Sequence, residues 1–448
     1  MDILGLLPQF GGLIWTLLAF IVALSVIVAI HEYGHYIVGR WCGIKADVFS
    51  LGFGPVLWSG VDRHNTKWQV AALPFGGYVK FAGDADAASG KDVAAMAAVA
   101  DNPKAKRHTM HGAPLWARTL TVAAGPVFNF VLSIIVFFAI TFTTGIARDP
   151  LTVGTLQPLP QGTAALQVGD VILGVEGAPI PEEAEAYTEF MQSLPKKALI
   201  EYDVEREGRV LTLEGPYLRP PLISQVVPQS AAISAGLRPG DVITRIDGTD
   251  IYSFDELKEA VESSEGTPLA LKVWRDGQSI DVTLAPKVVD EPQPDGSFKQ
   301  ALRIGIVGSM AFDPATDTPG VGEALIGGVE NTWRIITGSF NGLREMIVGN
   351  ISTCNLNGPV GIAQTSGAMA SQGAQSFIYF IAVLSTAVGL LNLFPIPALD
   401  GGHLTFYAYE AVAGKPPSDK ALRVLMTIGI ALVLSLMIFA LGNDLFCP

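Results

Sequence analysis

From Ile3 to Ile30 the chain carries no charged side chain, and Leu13 to Ile30 is an almost unbroken run of Leu, Ile, Val, Ala and Phe. Eighteen residues of helix rise about 27 Å, close to the hydrocarbon thickness of a bilayer, so this run reads as a membrane span. No Lys or Arg precedes Arg40, so the basic region of a cleaved signal peptide is missing. Three more apolar runs follow, at about Thr119 to Thr144, Ser376 to Leu393 and Leu422 to Leu441. Four spans leave both termini on one side.

Charge orients the spans. Residues 40 to 118 hold ten Lys/Arg against six Asp, and the loop after the third span carries Lys415, Lys420 and Arg423. Positive loops stay in the cytoplasm, so both segments read as cytoplasmic. Residues 145 to 370 hold 16 Lys/Arg against 30 Asp/Glu, a balance of -14 that accounts for the whole net charge of -13 and places it on the far side, the periplasm in a Gram-negative bacterium. That acidity argues against a nucleic-acid binder. A charged fraction of 16%, against roughly 25% in soluble domains, argues against a purely soluble enzyme. Three cysteines (Cys42, Cys354, Cys447) are too few for a disulfide scaffold. A Cys354 to Cys447 bridge is conceivable if both face an oxidising compartment.

The acidic segment contains a repeat. Gly169-Asp170-Val171-Ile172 to Glu176-Gly177 recurs as Gly240-Asp241-Val242-Ile243 to Asp247-Gly248, and the strands Glu201 to Leu213 recur as Leu271 to Leu284. Each unit resembles a PDZ domain, which binds an extended peptide at a sheet edge. The boundaries expected are 150–217 and 218–290. The first unit is shorter between Gly162 and Leu166, where the second has Ser230 to Leu237 for a short helix. Capping or filtering access to the membrane part is an equal alternative to peptide binding. In the region 291–375, Glu323 to Ile347 sets Leu325, Val329, Ile336, Phe340, Leu343 and Ile347 at helical spacing, a helix that lies in the membrane interface or faces a core.

The chemistry centres on His31-Glu32-Tyr33-Gly34-His35, at the inner end of the first span (residues 1–40). On a helix His31 and His35 share a face and can offer two imidazole nitrogens to one metal. Glu32 lies about 100° round the helix, where it can act as a base without being a ligand. Ionisable groups in a span are costly and mark function. A third ligand is needed. The strongest candidate is Asp400 in Asn392-Leu393-Phe394-Pro395-Ile396-Pro397-Ala398-Leu399-Asp400-Gly401-Gly402-His403, at the inner end of the third span (376–403); His403 is the rival ligand. Between the first two spans, residues 41–118 contain short strands at Val48 to Gly54 and Thr66 to Leu73.

Together, His31-Glu32-x-x-His35 and Asn392-x-x-Pro395-x-Pro397-x-Leu399-Asp400-Gly401 resemble the site-2 protease family of intramembrane zinc metalloproteases. The four spans and the PDZ-like pair are closest to its bacterial regulator-of-sigma-E type. The resemblance implies a multi-pass α-helical membrane protein of the bacterial inner membrane, with four transmembrane helices (119–144 and 422–441 being the second and last), a cytoplasmic-side membrane-associated β-loop and two extracytoplasmic PDZ-like α+β domains in tandem. It implies zinc held by His31, His35 and Asp400, water activated by Glu32, and substrate positioned by Asn392. Gly125-Pro126-x-x-Asn129 resembles a further motif lining the site, which makes Asn129 a second candidate for positioning substrate. The implied substrates are single-span membrane proteins, of the anti-sigma-factor type, and signal-peptide remnants, with peptide termini as partners for the PDZ-like domains and lipid around the spans. A non-catalytic PDZ scaffold and a metal transporter are the alternatives.

Overall fold

The computed structural model describes residues 3–85, 90–160, 162, 165–181, 183–293 and 297–447. The uncharged N-terminal run forms one long helix, α1 (Ile3–Trp41). It leads into two long antiparallel strands, β1 (Ala46–Val61) and β2 (Lys67–Phe81). Both strands outrun the expected Val48 to Gly54 and Thr66 to Leu73, because their glycines bend the chain rather than end the strand. Gly52, Gly54 and Gly76 take φ of 87°, 83° and 122°, values that glycine reaches without a Cβ clash. The bends fold two strands into four sheet segments. Residues 48–51 pair with 77–80 on one side and with 67–70 on the other, and 67–70 also pairs with 58–61. The hairpin turn is closed by Asp62, which accepts from the backbone of His64 and Thr66 and from the Trp68 and Tyr36 side chains. Short helices α2 (Val93–Ala98) and α3 (Pro103–Arg107) lead to α4 (Leu115–Thr144).

The acidic segment forms a unit of its own within residues 140–323 and 347–352. Its strands β3 (Ile146–Ala147) and β4 (Val153–Leu156) precede β5 (Val171–Val175), helix α5 (Ala184–Ser193), β6 (Leu199–Arg206) and β7 (Arg209–Pro216). The repeat follows with β8 (Ile223–Val226), α6 (Ala231–Ser234), β9 (Val242–Ile246), β10 (Thr249–Asp250), α7 (Phe254–Ser263), β11 (Leu269–Arg275) and β12 (Gln278–Leu284). Two cores result, one around Ile172, Ile200, Tyr202 and Val204, the other around Ile243, Leu257, Leu271 and Val273. The repeated Gly-Asp has a structural cause. Asp170 and Asp241 are buried, and each takes a bidentate bond from an arginine of a neighbouring strand, Arg206 and Arg275. Burial pushes the Asp170 carboxyl up, but Arg206 and the Gln167 N–H outweigh it and hold it below the usual carboxylate range. The short first repeat at Gly162 to Leu166 includes residues 163 and 164, which lie outside the described residues. In the second repeat Ser230 caps α6 through the Ile233 N–H.

The expected end of the second module at residue 290 differs from the structure. After the hairpin β13 (Lys287–Pro292) and β14 (Phe298–Arg303), strand β15 (Ile306–Gly308) pairs with β8, and β16 (Phe312–Pro314) runs back to pair with β4 of the first module. Phe312 and Ala311 complete the first core, and Ile304 the second. Each module is therefore closed by a strand more than 80 residues along the chain, which local repeat spacing does not reveal. Strand β17 (Thr316–Asp317) pairs with β3.

The other unit takes in residues 1–139, 324–346 and 353–448. Its later elements are α8 (Val321–Val348), α9 (Pro359–Ser371), α10 (Ala374–Leu393), α11 (Asp400–Ala413) and α12 (Asp419–Phe446). Among the described residues four helices, α1 from Gly12, α4, α10 and α12, are long and apolar enough to cross a membrane, as a membrane protein requires. Helix α8 buries its small residues rather than its apolar stripe, which argues against the core-facing reading of that stripe. Ala324, Gly328 and Thr332 are buried, whereas Leu325, Val329 and Ile347 are 49%, 48% and 78% exposed. A methyl added at Gly328 would come within 2.7 Å of the Ile134 carbonyl of α4. Small residues let two helices approach closely when lipid, as apolar as leucine, supplies no drive to bury the large ones. Helix α9 packs on α1, where a methyl at Gly367 would meet Thr16 Oγ1 at 2.4 Å. Cys354 and Cys447 form a disulfide, tying the chain just ahead of α9 to the end of α12, while Cys42 is a buried free thiol. Asp444 accepts from the backbone N–H of Gly358, Val360 and Gly361 at the same end of α12.

Candidate metal centre

His31 and His35 lie one turn apart on α1 with ring centroids 4.8 Å apart. Asp400, more than 360 residues along the chain, meets them at the first turn of α11. The three facing atoms form a small triangle: His31 Nε2 to His35 Nε2 3.2 Å, His31 Nε2 to Asp400 Oδ2 3.1 Å, and His35 Nε2 to Asp400 Oδ2 3.5 Å. Bonds of about 2.0–2.1 Å to a tetrahedral ion set its ligands about 3.3–3.4 Å apart, close to these edges. Proton accounting points the same way. His35 Nδ1 lies 2.9 Å from the Thr121 carbonyl, which only accepts, so Nδ1 holds the proton and a neutral ring turns a lone pair from Nε2 toward Asp400. Asp400 Oδ2 is buried, with the two Nε2 atoms 3.1 and 3.5 Å from it. A lone pair facing a carboxylate oxygen is repulsive unless a cation stands between them, and two imidazoles with one carboxylate are a donor set that suits zinc.

Glycine makes this arrangement possible. A methyl at Gly125 of α4 would fall 2.3 Å from His35 Nε2 and 2.8 Å from His31 Cε1, and one at Gly34 of α1 would fall 2.6 Å from the Ala124 carbonyl. The two helices touch at this pair, and both rings lie across Gly125. Asp400 is brought in by the loop after α10, where Ala398 takes φ of 88°, a left-handed conformation that costs a non-glycine residue energy and clusters at functional sites. Gly401 and Gly402 fit under the carbonyls of Leu393 and Ile396, and Gly429 of α12 lies against Pro397. Arg118 of α4 grips Glu410 of α11 with bonds of 2.6 and 3.1 Å. That pair fixes α11, and hence Asp400, against α4. The Arg118–Glu410 pair is not visible in the sequence, since 292 residues separate the two charges.

Glu32 follows His31 on the helix. The Val79 backbone N–H donates to its carboxylate, and a methyl at Gly77 would come within 3.0 Å of its Cγ, so segment 77–81 of β2 runs directly past it. Asn392 lies in the last turn of α10 and is partly exposed. Asn129 is buried, with Nδ2 3.2 Å from His31 Nδ1, on the side of the ring away from Nε2. His403 is absent from the group whose ligand atoms lie within 4.8 Å of one another, which is His31, His35 and Asp400; its ring lies edge-on to Phe406.

Gly125→Ala tests the packing of the rings. The added methyl must displace both imidazoles, so zinc affinity measured by chelator competition should fall by about tenfold or more, the range seen when a ligand loses its orienting partner, with helical content unchanged. Wild-type affinity in this variant would mean that the rings are not held against α4.

Residues 19–436 match the family model described as peptidase family M50. A protein of Rhizobium meliloti named as a zinc metalloprotease is 36% identical over 432 residues, covering 96% of both chains. One of Agrobacterium fabrum, named likewise, is 34% identical over 439 residues and 97% of both chains. The regulator of sigma-E protease RseP of Salmonella typhimurium is 30% identical over 463 residues, covering 97% of this chain and 99% of that one.

Proposed function

The chain belongs to peptidase family M50 and is a zinc metalloprotease of the site-2 type, and from that premise we propose that it hydrolyses single-span membrane proteins within the bilayer. The observation that carries this reading is the triangle of His31, His35 and Asp400 built among membrane-length helices. A zinc ion held there would lower the pKa of water to about 7 and polarise the scissile carbonyl. In this reading His31, His35 and Asp400 are the ligands. Glu32, held by the Val79 N–H, takes a proton from the attacking water and returns it to the leaving amine.

A helical substrate has every scissile carbonyl bonded internally, so it must be drawn out before attack. We assign that step to the edge segment 77–81, whose backbone passes Glu32 and whose outer side offers a sheet edge for strand addition. Phe53, Val56, Leu57, Trp58 and Val61 of the same sheet are exposed apolar groups, suited to lipid or to substrate. Asn392, at the end of α10, is assigned to holding the substrate main chain.

The orientation proposed places residues 40–118 and the metal centre toward the cytoplasm, with both termini and the acidic unit outside. The charge asymmetry supports it. So does the disulfide: Cys354 and Cys447 are paired near the end of the last span while Cys42, at the opposite end of the first, is a free thiol, and disulfides persist in oxidising compartments. The two modules are proposed to be PDZ domains in tandem that exclude substrates with bulky outer domains or hold freshly cut termini. By kinship with the sigma-E regulators, the substrates would be of the anti-sigma-factor type in the inner membrane.

The test is incubation of the purified chain in liposomes with a single-span substrate carrying reporters on both sides. Cleavage inside the span, stopped by a chelator and restored by zinc, is expected. Zinc flux without any cleavage would identify a transporter instead.

A further inference from the structure

The metal centre contains a hydrogen-bonding contradiction at Asn129. This side chain is fully buried; Nδ2 lies 3.2 Å from His31 Nδ1, while Oδ1 is buried with no hydrogen-bond partner. If the amide donates to Nδ1, that nitrogen has no proton, and a neutral His31 carries its proton on Nε2, the atom facing His35 and Asp400. A protonated Nε2 cannot be a ligand. Turning the amide over exchanges its oxygen and nitrogen at almost no change in shape. Oδ1 then accepts from Nδ1–H, and Nε2 presents a lone pair, the arrangement His35 already has through the Thr121 carbonyl. Reversal leaves Nδ2 as the unpaired atom in place of Oδ1, so hydrogen bonding within the pocket does not choose between the two. Ligation by His31 does.

The backbone around Asn129 is held for such a role. Its carbonyl accepts from Ser385 Oγ of α10 at 2.9 Å and from Ser133 Oγ at 3.0 Å, and Gly389 of α10 leaves room beside its Cβ. We propose that Asn129 is a positioning residue that accepts the His31 Nδ1 proton through Oδ1 and so holds His31 in the ligating tautomer, and that it does not bind substrate. The inference rests on reading His31 as a zinc ligand.

The experiment compares the full chain in detergent with Asn129→Ala and Asn129→Asp, measuring zinc affinity by chelator competition, the melting temperature without zinc, and KM for a single-span substrate. Loss of an orienting partner weakens metal binding about 10- to 100-fold, and Asn129→Ala should fall in that range. Asn129→Asp can only accept when ionised, so it should bind zinc within about threefold of the wild type or tighter, as carboxylate–histidine pairs do. The inference is overturned by an Asp variant as weak as the Ala variant, by equal affinity in all three, or by a raised KM with unchanged zinc affinity, which marks a substrate contact. A wild-type chain that binds no zinc would instead overturn the metal reading on which the inference rests. Should Asn129→Ala fail to fold, the Asp variant alone still decides: zinc affinity within about threefold of the wild type supports an acceptor at this position, and a loss of about tenfold or more overturns it.

Discussion

Glu32→Gln should leave zinc bound at the wild-type level and remove cleavage, lowering the rate by at least about 10²–10⁴-fold, the usual contribution of a positioned acid–base group. The reasoning is geometric. Glu32 is next to His31 in the chain but about 100° round the helix, and the ligand group comprises His31, His35 and Asp400 without it. The amide keeps the size of the carboxylate and still accepts the Val79 N–H. What it loses is the ability to take up a proton. Loss of zinc from this variant would make Glu32 a ligand, and retained activity would remove it from the chemistry.

Much of this architecture is legible in the sequence, and the parts that are not share a cause. Uncharged runs mark the spans because transfer of apolar surface to lipid depends on composition, summed over some 20 residues. His31 and His35 are legible as a pair because helical periodicity sets them on one face. Asp400 stands out as an acid beside two prolines at the end of a span. Contacts between distant segments leave no such trace. Strands β15 and β16 close modules that began well upstream, and the positions of their hydrophobic residues carry no record of the partner. The Arg118–Glu410 clamp is of the same kind, whereas Asn129 is legible as lining the site only through the resemblance of its motif.

Helix α8 is instructive in another way. Its stripe of Leu325, Val329 and Phe340 has a period that in water would mark the buried side, yet all three are exposed and Gly328 makes the close approach. The rule that reads hydrophobic periodicity as a core assumes water on the other face. Gly125 follows the same logic: in a span, the informative residue is the smallest one.

The disulfide had a clear chemical condition attached, that both cysteines share an oxidising compartment, and the structure pairs Cys354 with Cys447. The bond joins the approach to α9 with the end of α12, and α9 in turn lies on α1, the helix that carries His31 and His35. The chain around the metal centre is thus tied together far from the reacting atoms as well as at them.

The ligand set of His31, His35 and Asp400 is decided by the zinc content of purified Asp400→Ala beside the wild type and His403→Ala. Removing Asp400 takes away one of three protein ligands and the one anionic ligand among them, so the Asp400 variant should lose bound zinc and all cleavage with it, while the His403 variant keeps its zinc. Zinc retained at the wild-type level in Asp400→Ala, with loss in His403→Ala, would remove Asp400 from the ligand set and move the third ligand to His403.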